Sequence, residues 1–520
     1  AQRFRAVQVP WNVVRDGRSW GIYPPLFPYF AAPFYLLGGP AAVVRANLAL
    51  LGVLALGVFL LARLLSRRSI PSVVAAYVVI LGTPCAAFAT LPSSFVLTET
   101  LLVWSCYCAL RSASEGAQRA GWWAALAGLL GGLAAATHLL AAVALAAVIA
   151  ALALGPQLRR AALALAGAAL PLTGVALLNA LRFGSFNPLS YGPCVWPPQC
   201  SAAQNNMDQT ALKIFLTGAP VIALVVVAWI GLRLASRWRV AGAAMALITV
   251  AVLVSAREHL GPLVAMGRVA AAYLVDAGAT DWTAPYRLSD PGPGVLFGGH
   301  VLKSVLQAMP MLWLALLASK GERRVLALVL MAVFAALTFR GATLQTPIHL
   351  GVPILHMRYV SLVLPLAVIL AVVGASRQKW SRGPLVAAAL LTAGLGLWLS
   401  MSTDQSLLRR VFLLRVTLLL GLTTLLFGWL ASRRSPRPWA LRAAPWLTAL
   451  AFGAALAINL SVDLPYFGRR VAAVTRRAER IAAKLPAKAA IVANGERFAL
   501  HALAATRDVV FAEPAQARSS

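Results

Sequence analysis

One acidic residue, Glu99, lies inside an apolar stretch of this chain, in Leu97-Thr-Glu-Thr-Leu101. It lies about one helical turn from the polar end of that stretch, given a rise of about 1.5 Å per residue. An ionisable group inside a membrane segment costs roughly 3 kcal/mol and usually has a function. Glu99 could orient a polar group of a substrate. A helix cap or a neutral, hydrogen-bonded carboxyl group is the alternative interpretation.

Asp16 is the second candidate carboxylate. It precedes Gly17, and Asp-Gly is a common turn dipeptide. The residue is therefore either a turn residue or a general base for an acceptor hydroxyl.

Several cations and histidines lie at the ends of apolar runs, where they could bind a lipid phosphate. Snorkelling explains Lys303 and Arg358 as well as phosphate binding does. His138, between two apolar stretches, either contacts a phosphate or forms an interhelical hydrogen bond. Further candidates for a phosphate site are Arg340, His349, His356 and Tyr359.

The composition excludes most classes of soluble protein. The 520 residues include 46 Lys+Arg and 15 Asp+Glu, a net charge of +31, yet only 12% are charged and 60% are hydrophobic. Soluble domains are about 25% charged, and disordered chains have low hydrophobicity. A nucleic-acid-binding protein would not place its basic residues between apolar runs of about 20 residues. The sequence predicts an all-α polytopic membrane protein.

Between residues 45 and 460 we predict a bundle of 12–14 transmembrane helices. The stretch 121–154 is longer than one span needs and predicts two short helices that meet near His138; a single tilted helix with a re-entrant end is the alternative. The other apolar runs lie at 45–65, 71–91, 95–110, 161–180, 212–232, 240–256, 300–319, 324–340, 353–374, 384–401, 408–431 and 440–460.

The orientation follows from the Lys and Arg residues. Basic clusters occupy every second connection if 121–154 crosses the membrane twice, and the positive-inside rule makes these connections cytoplasmic. Residues 1–44 then form a first external loop, and 181–211 and 257–299 are external as well. The sequence opens with Ala1 and polar residues, which predicts that the natural chain begins upstream.

Two further features lie on the predicted external side. Cys194 and Cys200 share one external loop, and we predict a disulfide between them as a loop staple. No Cys/His spacing indicates zinc. Residues 461–520 predict a small α/β tail, with strands at Ala489–Ala493 and Val509–Ala512.

Four stretches carry motifs that are weak singly and more specific together. They are Asp16-Gly-Arg-Ser-Trp-Gly-Ile-Tyr-Pro-Pro-Leu-Phe-Pro28, Leu97-Thr-Glu-Thr-Leu101, Leu177-Leu-Asn-Ala-Leu-Arg-Phe-Gly-Ser-Phe-Asn-Pro-Leu-Ser-Tyr191 and Met357-Arg-Tyr-Val-Ser-Leu-Val-Leu-Pro365. In this order they resemble the GT-C class of integral-membrane glycosyltransferases, in particular the bacterial branch similar to protein mannosyltransferases and aminoarabinose transferases.

The resemblance implies an enzyme of the bacterial inner membrane with its active face outside. Such an enzyme moves a sugar from a polyprenyl-phosphate carrier to a lipid, glycan or protein acceptor. The donor phosphate needs cations, and the acceptor hydroxyl needs a carboxylate. No organic cofactor is expected, and a divalent metal is left open.

Two departures from the family pattern matter. The family places its catalytic Asp at the head of the first external loop, which in this chain falls at or before Ala1. Some relatives carry a cation where this chain has Tyr23, whose phenol could hydrogen-bond a phosphate without bringing charge.

Two other functions are compatible with the same scaffold. One is a transporter or flippase of a lipid-linked saccharide, although inverted repeats are not visible and Glu99 is the single acid within a predicted span. The other is a noncatalytic GT-C-like scaffold that has lost its base.

Overall fold

The computed structural model describes residues 12–15, 18–21, 23–83, 85–90, 93–114, 116–154, 158–189, 305–317, 324–343, 361–376, 381–401, 407–431, 437–458 and 460–461, with residues 476, 480, 491–492 and 511–512 of the tail. The helices are α1 Leu26–Ser66, α2 Ser69–Gly82, α3 Cys85–Ala89, α4 Phe95–Ser114, α5 Ala117–Thr137, α6 Leu140–Ala153, α7 Leu158–Phe183, α8 Val305–Ala308, a 3₁₀ helix Pro310–Leu317, α9 Arg324–Thr343, α10 Leu364–Ala375, α11 Arg382–Met401, α12 Leu407–Ala431 and α13 Pro438–Ile458.

Five helical segments of the described chain are long and apolar enough to cross a membrane: Ala41–Ser66, Arg119–Thr137, Leu158–Phe183, Arg382–Met401 and Pro438–Ile458. Shorter apolar helices lie between them. Of these, α10 is buried along nearly its whole length, as expected for a helix that is apolar on every side. The structure confirms an all-α polytopic membrane protein. The spans predicted at 212–232 and 240–256 lie outside the described residues, and so do the predicted external loops 181–211, beyond residue 189, and 257–299.

The stretch 121–154 forms two helices, as predicted, and the single tilted helix is wrong. His138 ends α5 in an extended conformation (φ −155°, ψ 122°), and α6 begins at Leu140. A Cβ built at Gly131 would lie 2.7 Å from Leu145 Cδ1. Gly131 and Leu145 are equally far from His138 in sequence, so α5 and α6 fold back on each other.

Three hydroxyl residues join α4 to α5. They recur every seven positions along α4, which places them on one side of the helix. Thr98 shares a 2.6 Å hydrogen bond with Thr137, Ser105 donates to Ala127 O (2.7 Å), and Ser112 donates to Ala120 O (2.9 Å). As the residue number rises along α4, the residue number of the partner on α5 falls, so these two helices are antiparallel.

Glycines allow α5 and α7 to pack closely and in parallel. A Cβ built at Gly128 would lie 1.7 Å from Ala164 O, and one built at Gly132 would lie 2.9 Å from Ala168 O. Both pairs advance by four residues in the same direction. Small residues four apart permit such backbone contact between membrane helices.

Prolines explain where the helices are shorter than the apolar runs. In the run 71–91, α2 ends at Gly82 and α3 begins at Cys85, on either side of Pro84 in sequence. The prediction of one continuous helix over 300–319 is wrong, because a 3₁₀ helix begins at Pro310. Proline lacks the backbone N–H that a continuing helix needs and clashes with the preceding turn. In the run 353–374 the helix α10 begins at Leu364, with Pro365 in its first turn.

Short strands lie at both ends of the chain. Strands β1 (Asn12–Arg15) and β2 (Arg18–Gly21) form an antiparallel hairpin, and α1 follows with a kink at Gly38–Gly39, where Gly39 has φ 62°. Strands β3 (Ile491–Val492) and β4 (Phe511–Ala512) pair in parallel, within the two stretches predicted as strands of the tail.

We expect Gly128→Ala to destabilise the protein by about 2 kcal/mol, because the new methyl group would overlap the backbone of α7. Gly174→Ala is the matched control, since a Cβ at Gly174 meets nothing within 4 Å. The thermal unfolding midpoint of the full chain in detergent measures both. Equal midpoints for the two variants would contradict the close α5–α7 contact.

Candidate functional site

The described bundle has two chemically different ends. We call the end formed by the first turns of α4 and α10 and the last turns of α5 and α7 the Glu99 end. The opposite end, formed by the end of α1, the start of α2 and the α4–α5 connection, carries arginines at 63, 67, 68, 111 and 119, and we call it the basic end. The positive-inside rule predicts that the basic end is cytoplasmic.

Glu99 is the fifth residue of α4 and is completely buried (0% exposed). It lies within the helix, so it is not an N-cap. Neither carboxyl oxygen has a hydrogen-bond partner of normal geometry among the described residues. The thiol of Cys85 and the hydroxyl of Ser361 nevertheless lie close enough to interact with the carboxyl group. An unsatisfied buried polar group costs about 1–3 kcal/mol, so this arrangement does not serve stability.

Ser361 brings the fourth motif to the second. It is fully buried beside the start of α10 and follows Arg358 by three residues. Arg358 and Tyr359 themselves lie outside the described residues. The contact between Glu99 and Ser361 therefore brings the fourth motif to the Glu99 end at Ser361.

His138 lies near the same end, between α5 and α6. Its side chain is 8% exposed, and its Nδ1 accepts a hydrogen bond from the Leu140 N–H (3.2 Å). This bond assigns a neutral imidazole with its proton on Nε2. The ring centroid lies 5.8 Å from that of Phe95, one turn before Glu99. His138 would therefore meet an anion as a neutral donor rather than as a cation.

Arg182 joins the third motif to the first. It is 5% exposed, and its guanidinium donates to Tyr23 O (3.0 Å) and to Asn179 Oδ1 (3.2 Å). Asn179 in turn donates to Asn187 O (2.8 Å), which closes the segment after α7 against the helix end. The Arg182 guanidinium also lies 4.5 Å from the centre of the Phe183 ring. Arg182 thus holds the Pro-Pro segment of the first motif on α7.

Arg182 was not among the residues predicted for the site, although it lies in the third motif. In the first motif, the Tyr23 phenol was predicted to form the polar contact, a hydrogen bond to a phosphate. In the structure, Arg182 donates a hydrogen bond to the backbone carbonyl of Tyr23, and the Tyr23 residue as a whole is 47% exposed.

Asp16 and Gly17 lie outside the described residues, between strands β1 and β2 in sequence. The register pairs Arg15 with Arg18, which leaves Asp16 and Gly17 as a two-residue connection. Asp-Gly is the sequence that such hairpin turns favour. A turn role for Asp16 therefore stays a prediction, and so does a catalytic one.

The remaining candidates are placed less completely. Arg340 lies in the last turn of α9, and its side chain is not among those described. The other predicted site residues lie outside the described residues: Lys303, His349, His356, Arg358, Tyr359 and the predicted disulfide pair Cys194 and Cys200.

Two solved structures are similar to this chain. One is ArnT from Cupriavidus metallidurans bound to undecaprenyl phosphate, at 16% identity and a TM-score of 0.42, with 98% of this chain and 79% of that chain covered. The other is the archaeal oligosaccharyltransferase AglB from Archaeoglobus fulgidus, in complex with an inhibitory peptide and a dolichol-phosphate, at 14% identity and a TM-score of 0.41, with 96% and 57% covered.

No protein-family model and no curated protein matches the chain. At TM-scores below 0.5, function must be argued from the chain's own residues.

We expect Arg182→Gln to release the segment before α1, because it removes a charge-assisted hydrogen bond to Tyr23 O worth about 2 kcal/mol. Limited proteolysis of the full chain in detergent should cut before Leu26 faster than in the wild type. Arg45→Gln is the control, since Arg45 is exposed and donates to Ala41 O within its own helix. The same cleavage rate in both variants would show that Arg182 does not hold this segment.

Proposed function

We propose that this protein is an integral-membrane glycosyltransferase. It moves a sugar from a polyprenyl-phosphate carrier to an acceptor hydroxyl at the Glu99 end of the bundle, which the distribution of arginines predicts to be extracytoplasmic. In a bacterial cell this end would face outward from the inner membrane.

The observation that carries the proposal is the buried carboxyl group of Glu99. It lies near one end of a membrane bundle, without a normal hydrogen bond among the described residues. Membrane proteins retain such groups for function, because their burial costs free energy. A sugar hydroxyl is a partner that such a carboxylate can accept a hydrogen bond from and orient.

The pairing of the four motifs supports the same proposal. Arg182 joins the first and third motifs through Tyr23 O, and Glu99 contacts Ser361 of the fourth. Motifs that are distant in sequence thus meet in pairs. A lipid-linked donor needs such a composite site, with cations for the phosphate and a carboxylate for the hydroxyl.

The proposed reaction is a single inverting displacement. The acceptor oxygen attacks the anomeric carbon of the donor sugar, and the bond from that carbon to the phosphate oxygen breaks. The carrier phosphate leaves with the electron pair, and the hydroxyl proton passes to a carboxylate. Asp16 or an Asp upstream of Ala1 was the sequence candidate for this base. Among the described residues, the buried carboxyl group of Glu99 is the candidate for this role.

Cations would stabilise the leaving phosphate as its charge develops. Arg358 and Lys303 are the residues proposed for this role, and Tyr23, Arg340, His349 and Tyr359 are further candidates around them. His138 would add a neutral hydrogen bond from Nε2, consistent with its tautomer.

We expect Glu99→Gln to lower sugar transfer at least roughly 100-fold, the contribution of a positioned acid or base, while the protein still folds. The assay incubates membranes with radiolabelled polyprenyl-phosphate sugars and follows the label into acceptors. Glu115→Gln is the matched control, since Glu115 follows the last residue of the same helix at the basic end. Asp16→Asn should lose far less activity than Glu99→Gln, and the reverse order would exclude Glu99 as the essential carboxylate.

We expect Arg358→Ala to lower transfer far more than expression, because the leaving phosphate would lose a charge-assisted hydrogen bond. Arg358→Lys should recover part of the activity by restoring the charge without the guanidinium fork. Wild-type transfer by the Arg358→Ala protein would remove this residue from the site.

A further inference from the structure

A large cavity among the described residues lies at the basic end, and its lining does not include Glu99 or His138. It has a volume of about 1590 Å³ and is bounded by the end of α1, by α2, the 3₁₀ helix, α10, α11 and α13. Along α2 the lining extends from Ser69 to Val78, which is about 14 Å at 1.5 Å per residue. This depth matches half of a hydrocarbon core about 30 Å thick. The cavity is a groove one leaflet deep.

The groove opens toward lipid along its side. Its rim includes large apolar side chains that are exposed, among them Ile70 at 80% and Leu385 at 56%. The deeper lining is also apolar, with Val78, Leu314 and Phe452 from three different elements. Such a surface suits hydrocarbon chains and offers little to a ligand dissolved in water.

A cationic group stands at the mouth of this apolar groove. Arg68 lines it, is exposed, and donates from its guanidinium to Ser376 O at the end of α10 (3.4 Å). Asp and Glu are absent from the lining described here. The Arg68 fork has five N–H donors, so this bond leaves others for an anion.

The start of α2 adds to the attraction for an anion at the same place. Arg68 is the N-cap of this 14-residue helix and makes no side-chain capping bond. Ser69 and Ile70 line the groove, their backbone N–H groups have no partner within the helix, and the positive end of the helix dipole lies there as well. A phosphate is the anion that helix N-termini and arginine bind well.

We propose that this groove binds an anionic phospholipid from the leaflet at the basic end. Its phosphate lies on Arg68 and the start of α2, and its acyl chains lie along α2, α10 and α11. An anionic headgroup joined to long apolar chains matches a groove that has one cationic end and is otherwise apolar; basic pockets between membrane helices on the cytoplasmic side bind such headgroups. This lipid is distinct from the sugar carrier, whose phosphate belongs at the Glu99 end.

The bound lipid connects two parts of the chain. The groove walls include α2 from the N-terminal part and α10, α11 and α13 from the C-terminal part. A ligand that binds only the folded arrangement stabilises it by mass action. The purified protein should therefore be more stable when this phospholipid is present.

The test uses the purified full chain in mixed micelles containing phosphatidylglycerol or, for comparison, phosphatidylcholine. We expect phosphatidylglycerol to raise the unfolding midpoint and to remain bound in native mass spectrometry, with phosphatidylcholine doing neither. Arg68→Gln should weaken phosphatidylglycerol binding roughly tenfold, the effect of losing one charge-assisted hydrogen bond. Arg159→Gln is the matched control, an exposed arginine at the same end that does not line the groove.

A second variant tests the apolar part independently. Ala389 is exposed in the groove wall, so Ala389→Trp should fill the space for an acyl chain and abolish phosphatidylglycerol binding in a folded protein. Equal stabilisation by both lipids, or equal loss in the Arg68 and Arg159 variants, would overturn the proposal. Displacement of phosphatidylglycerol by undecaprenyl phosphate at equal concentration would also overturn it, because the groove would then take the carrier lipid. Sugar transfer measured in parallel keeps this outcome separate from the proposed enzyme activity.

Discussion

In the hydrocarbon core of a membrane there is no water, so each polar group must find its partner within the protein. The hydroxyls of α4 obey this constraint: Thr98, Ser105 and Ser112 all bond to α5. Glu99, on the same helix, is the described carboxyl group that does not obey it. We take this contrast with the hydroxyls as support for the proposal that Glu99 serves a ligand rather than the fold.

The satisfied hydroxyls also fix where the Glu99 end lies. The bond between Thr98 and Thr137 sets the register of α4 against the last turn of α5, and His138 is the next residue. Glycine contacts then hold α7 parallel to α5, so the last turn of α7, with Arg182, reaches the same end. Helix packing over many residues therefore determines which side chains lie near Glu99. A change far from Glu99, at Gly128 for example, can move the site as a whole.

Much of the fold could be predicted from the sequence, because membrane thickness and charge distribution act on the chain directly. The break near His138 was predicted since basic clusters alternate only if 121–154 crosses twice, and the structure confirms it. The hydropathy of 300–319 does not register that Pro310 changes the local helix type. Glu99 could be predicted as a site residue because it is an acid inside an apolar stretch. The neighbours Cys85 and Ser361 come from distant segments, and the capture of the Tyr23 carbonyl by Arg182 is a tertiary contact that no local pattern encodes.

Arginine serves two physical purposes in this bundle, and burial separates them. Arg182 is 5% exposed, and its guanidinium donates to Tyr23 O and to Asn179 Oδ1. The N–H groups that make these bonds position the protein chain and cannot also bind a ligand. The exposed guanidinium of Arg68 donates to Ser376 O (3.4 Å), and Arg68 begins a helix without a side-chain capping bond. The first arrangement fixes the shape of the Glu99 end; the second leaves charge available at the basic end. The phosphate binding proposed for the Glu99 end therefore requires cations other than Arg182, and Arg358, three residues before Ser361, is the proposed one.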